Sequence, residues 1–169
     1  MGIRKIAVLF FIFSSVLTAA YAEKEKASRP CKKEDLVGTW DMVLVKPVFD
    51  KNDAVFYPYQ RFEFSSNSSM KSMSSEKTFT QEWLDKFRKQ APEVDFSLSD
   101  RSVLTMTWNA RPHSESAICA YVMKDVPPEA LAKIPENEHG SLPRKGNVTL
   151  SFLDSGGKIA YRKILSRVA

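Results

Sequence analysis

The stretch Val94-Asp95-Phe96-Ser97-Leu98-Ser99-Asp100-Arg101-Ser102-Val103-Leu104-Thr105-Met106-Thr107-Trp108 decides the fold class. Val94, Phe96 and Leu98 alternate with Asp95, Ser97 and Ser99. After Asp100-Arg101, Leu104, Met106 and Trp108 alternate with Val103, Thr105 and Thr107. A period of two sends successive side chains to opposite faces of an extended chain, so each run is a strand with one face for a core. The polar pair between them is a turn, and together they form a hairpin.

The same reading extends in both directions. Towards the C-terminus, Ala117–Lys124 sets Cys119, Tyr121 and Met123 against Ile118, Ala120 and Val122. Residues 126–146 are punctuated by Pro127, Pro128, Pro135 and Pro143 and leave room for one helical turn at Glu129–Ala132. Asn147–Leu153, the turn Asp154-Ser155-Gly156-Gly157 and Lys158–Leu165 form the strongest hairpin signal in the chain. Towards the N-terminus, Thr78–Gln90 places Phe79, Trp83, Leu84 and Phe87 at helical spacing. Thr78 with Gln81 fits a capping box, and Pro92 ends the run. Before it, Tyr57–Ser65 has Gln60, Phe62 and Phe64 on one face, Asn67-Ser68 supplies a turn, and Ser69–Ser74 returns as hairpin partner. The first strand covers Val37–Val45 and stops at Pro47.

The fold class is therefore all-β with one inserted helix. About eight antiparallel neighbours in an up-and-down meander favour a closed barrel, because closure removes exposed edges. A two-sheet β-sandwich is the alternative.

At 169 residues, with 43% hydrophobic and 27% charged, the chain has the size and composition of one globular domain, which excludes wholesale disorder and a polytopic membrane protein. Residues 1–22 carry Arg4 and Lys5, then the apolar run Ile6–Phe13, then Ala20-Tyr21-Ala22. This is the pattern of a secretory signal peptide, so export to the periplasm or the extracellular space is expected, with no stable membrane insertion. Removing 22 residues from 169 leaves 147, and losing two basic residues lowers the net charge from +5 to +3. The expected organisation is a signal peptide at 1–22, a polar arm at 23–35 and a barrel domain at 36–169. No run of five basic residues occurs, so no nucleic-acid partner is expected. Cys31 and Cys119, separated by 88 positions, are expected to form a structural disulfide in an exported, monomeric protein.

Gly38-Thr39-Trp40, in the first strand after a loose arm, resembles the G-x-W signature of lipocalins and the wider calycin superfamily. The resemblance implies a lipocalin-like barrel whose tryptophan plugs the closed end. It also implies that a basic residue from the last strand packs across the indole; Arg162 is the candidate, with Arg167 further on. The central placement of the helix and the Cys31–Cys119 pairing depart from the usual lipocalin pattern.

No motif for catalysis, nucleotide or metal binding is present: GxSxG, HExxH, Walker A, GxGxxG and the EF-hand loop are all missing. No enzyme activity, cofactor or metal is expected; His113 and His139 fall in loops without ligand spacing. What remains is an apolar lining. Phe62, Phe64, Leu104, Met106, Trp108, Tyr121, Met123 and Leu150 are the candidate ligand-binding residues for a small hydrophobic or amphipathic molecule inside the barrel, with Trp40, Gly38 and Arg162 structural. The alternative is a filled core, with the protein binding a protein partner, such as a hydrolase, through the loops Asn109–Ser116 and Pro127–Pro143.

Overall fold

The structure, a computed structural model, describes residues 26–43, 57–110 and 112–169. The expected signal peptide, the end of the first strand at Leu44–Val45 and Arg111 lie outside the described residues. Nine strands are present among them: β1 Ser28–Pro30, β2 Gly38–Val43, β3 Tyr59–Phe64, β4 Ser69–Ser75, β5 Glu93–Leu98, β6 Val103–Trp108, β7 His113–Val122, β8 Val148–Leu153 and β9 Ile159–Arg167. Three helices, α1 Lys33–Leu36, α2 Gln81–Gln90 and α3 Pro128–Leu131, and a 3-10 turn at Glu136–Ser141 complete the inventory of the described residues.

Strands β2 to β9 pair antiparallel with their chain neighbours, and β9 pairs back onto β2, which closes an eight-stranded up-and-down barrel. The short β1 is an additional strand. Its Pro30 lies opposite Ala120, taking the edge of β7 that β6 leaves after Val103↔Ile118. The all-β barrel with an inserted helix is thus the observed fold, and the sandwich is not.

Register confirms the alternation read from the sequence. Phe62 sits opposite Ser72, Phe96 opposite Met106 and Cys119 opposite Leu150, so these residues share the interior face. Towards one end that interior is solid: Leu36, Trp40, Leu104, Leu150, Val148 and Leu165 are fully buried. The chain makes this floor from its N-terminal arm, which is structured rather than loose. Arg29 forms a bidentate pair with Asp35 at 2.7 Å through each oxygen, and the Lys32 amide donates to the same carboxylate. The Cys31–Cys119 disulfide is present, and neighbouring bonds reinforce it. The Ser102 hydroxyl donates to the Cys31 carbonyl, and the Cys119 amide donates to the Ser102 carbonyl.

Two boundaries differ from the sequence expectation. Helix α2 starts at Gln81 and its N-cap is Thr80, whose hydroxyl accepts from the Trp83 amide; Thr78 lies before it. Phe79, between the two threonines, packs on Trp83 at 5.0 Å. Strand β7 starts at His113, four residues before the expected Ala117, because Ser114 and Ser116 pair with Thr107 and Thr105 on the outer face. The loop expected at Asn109–Ser116 therefore shrinks, and His113–Ser116 belong to the barrel wall. Among the described residues no helix is long and apolar enough to cross a membrane.

Candidate functional site

The closed end explains the G-x-W arrangement physically. The last carbonyls of a helix lack intrahelical donors. Here Trp40 Nε1 donates to Leu36 O at 2.6 Å, and the Arg167 guanidinium donates to Asp35 O and Val37 O at 3.0 Å each. Arg167 also lies over the Trp40 ring, 4.5 Å from its centroid. The basic partner is Arg167 and not Arg162: Tyr161, Lys163, Leu165 and Arg167 share the inner register of β9, which turns Arg162 to solvent. Gly38 has φ +132°, and a Cβ there would stand 2.6 Å from an Arg167 nitrogen, so glycine leaves room for the guanidinium.

The opposite end is open. A cavity of about 210 Å³ lies there, walled by Phe62, Met106, Trp108 and Phe152 and edged by Tyr57. Its polar members are Gln60, Ser72, Ser74, Glu115 and Lys163. Lys163 Nζ is boxed by aromatic rings, 5.0 Å from the Phe152 centroid, 5.4 Å from Tyr161 and 5.7 Å from Phe62. Glu115 sits against His113 at 3.3 Å, and the His113 ring lies 5.4 Å from Trp108, which makes one rim of the opening. The buried Gln60 is anchored by its amide nitrogen, which donates to Tyr57 O at 3.3 Å.

The candidate ligand-binding residues separate into four sets. Phe62, Met106 and Trp108 line the cavity. Phe64, Leu104 and Leu150 are inward but belong to the packed core below it. Tyr121 points inward near the floor, where Arg29 covers its ring at 4.7 Å. Met123 lies beyond the end of β7 and is 40% exposed, so it lines nothing; its even spacing from Tyr121 carries the alternation past the point where the strand stops.

The polar half of the lining escapes a reading of apolar alternation. Gln60 is read together with Phe62 and Phe64, and the other members extend the inward parity of their strands: Ser72 and Ser74 follow Met70, Glu115 precedes Ala117, and Lys163 precedes Leu165. Parity is the signal that finds them, and polarity masks it.

A second hollow, of about 260 Å³, lies outside the wall between β4 and α2, lined by Ser72, Met73, Ser74, Trp83, Phe87, Gln90, Ala91 and Pro92. Helix α2 is held there by an ion pair from Arg88 to Glu63 at 2.8 Å and by Lys71, whose ammonium donates to the Arg88 carbonyl at 2.8 Å. A cation at the last carbonyls of a helix is favourable. The hydrogen bond to Glu63 raises the Arg88 pKa, and that to Asp41 raises the pKa of Arg61, whose guanidinium stands 5.3 Å over Phe79.

Compared with known proteins, the chain matches no family model, no curated sequence and no solved structure.

Proposed function

We propose that this is an exported, lipocalin-like protein that binds one small amphipathic molecule at the open end of its barrel. The observation that carries the reading is the cavity itself, with aromatic and thioether walls and a few convergent polar groups, which is the usual make-up of a small-molecule site. Its size sets the class of ligand. An apolar cavity of ~150 Å³ accommodates benzene, so about 210 Å³ suits a single ring bearing a polar substituent. A long chain does not fit wholly inside, because the interior below is occupied by Phe64, Leu104 and Leu150.

Lys163 and the Ser72 and Ser74 hydroxyls favour a head with negative charge or hydrogen-bond acceptors, while Phe62 and Phe152 take the ring. The lipocalin-like assignment is supported by Gly38-Thr39-Trp40 in the first barrel strand and by the basic cover that the last strand supplies to Trp40. The disulfide and the pattern of residues 1–22 support export.

The test is a titration with benzoate, phenol and indole, reading Trp108 emission in a Trp83→Phe chain. A saturable change in Trp108, with Trp40 in the floor unaffected, is the expected result. No response to any of the three removes the reading.

A further inference from the structure

The cavity and the outer groove meet the barrel wall at the same two residues, Ser72 and Ser74. Strand β4 runs to Ser75, but its ladder with β5 ends at Lys71↔Glu93. The Ser68 carbonyl accepts from the Phe96 amide, and the Ser69 carbonyl accepts from the Ser65 amide at the hairpin with β3. Alternation along β4 then turns the backbone groups of Ser72 and Ser74 to the β5 side, where β5 has already ended. Ser72 and Ser74 line both hollows, and their side chains are small. Outside the wall the lining changes character, to Met73, Trp83, Phe87, Ala91 and Pro92. Phe87 stacks on Trp83 at 4.2 Å yet is 37% exposed, so the helix shows solvent an aromatic surface at the groove.

We propose that the binding site continues through the wall between β4 and β5, so that a single-chain carboxylate lies with its head in the cavity and its tail in the groove under α2. This rests on the reading of the cavity as a ligand site, and it changes the class of ligand from a compact ring to an elongated amphiphile. The order of residues fits one molecule from end to end. Lys163 stands at the head, Ser72 and Ser74 at the waist, and Met73, Trp83 and Phe87 along the tail. Glu115 lines the same cavity and contacts His113 at 3.3 Å at the rim, so the carboxylate head is placed beside Lys163 and the two serines. The two ends also carry separate natural reporters, Trp108 in the cavity and Trp83 in the groove.

The experiment uses Trp83→Phe and Trp108→Phe chains, each keeping one of the two reporters beside the buried Trp40, with α-bromododecanoate and ω-bromododecanoate as probes; bromine quenches an indole that it touches. The expected result is that the ω-bromo probe quenches Trp83 and spares Trp108, and that the α-bromo probe does the reverse. Narrowing the groove with Ala91→Leu should weaken dodecanoate by about tenfold, the affinity carried by roughly two methylenes, and leave benzoate unchanged. If both bromo probes quench Trp108 alone, the molecule lies wholly inside; the extension through the wall is then wrong although the cavity reading stands. Quenching of Trp83 alone places the molecule wholly outside and also overturns the proposal. No quenching of either, with no response to benzoate, removes both readings together.

Discussion

Replacing Gly38 by alanine tests whether glycine is required there for its backbone or for its emptiness. Two costs are expected. A non-glycine residue at φ +132° is strained by roughly 1–3 kcal/mol. The added Cβ also meets an Arg167 nitrogen at 2.6 Å. The tip of an arginine moves easily, but here moving it sacrifices two hydrogen bonds to Asp35 and Val37 carbonyls and the cover over Trp40. Those contacts are solvent-exposed, so about 1 kcal/mol for each hydrogen bond and ~0.5–1 kcal/mol for the cation–π contact is a fair sum, or about 2–3 kcal/mol. Arg167→Ala should therefore cost about 2–3 kcal/mol, a fall in Tm of about 5–10 °C for a chain of this size. Gly38→Ala should cost about 3–6 kcal/mol in the native background. In the Arg167→Ala background only the backbone strain is left, roughly 1–3 kcal/mol. Urea unfolding followed by tryptophan emission, run as a double-mutant cycle, measures the difference. Coupling of about 2 kcal/mol is expected; additivity within about 0.5 kcal/mol would show that Gly38 serves its backbone alone and would refute the reasoning.

Two further outcomes are expected from the floor of the barrel. Replacing Cys31 and Cys119 together by alanine opens a loop of 88 residues and should cost ~4–5 kcal/mol in the chain-entropy account, read as a lower urea midpoint; a loss under ~1 kcal/mol would show that β1 and Ser102 hold the arm without the bridge. The hydrogen bond from Arg29 holds the Asp35 carboxyl below the ordinary aspartate range, aided by the Lys32 amide. A depressed folded-state pKa stabilises the protein above the unfolded value of ~3.9, and this contribution is lost as pH falls through the folded value. Asp35→Asn should lower stability at neutral pH and flatten the acid limb below about pH 4; an acid limb that keeps its slope would assign the acid sensitivity to another carboxylate.

How legible each element is in the sequence follows from how dry its surroundings are. Val94–Leu104 reads clearly because Val94, Phe96 and Leu104 face packed side chains, and only apolar residues survive there. The same parity continues through Ser72, Ser74, Glu115 and Lys163, but those residues face the cavity, where a polar group is satisfied and the alternation fades. Strand β7 is therefore legible only from Ala117, where the dry interior begins, and its first four residues look like a loop. Strand β1 is illegible for another reason: three residues tied by a ladder and a disulfide need no apolar face. Arg162 misleads through its proximity to Tyr161 and Lys163, whereas parity along β9 is what separates 162 from 167.

The position of the two outermost described segments has a practical consequence. Strand β1 joins β7 at Ser28↔Val122, and the Val168 amide donates to Thr39 O, so the first and the last described segments both lie at the sealed base. Anything attached at either place, whether an affinity tag, a surface or a fused domain, hangs from the base like a stem and leaves the opposite opening facing the surroundings. The barrel can be anchored from either direction of the chain without its mouth being turned towards the anchor.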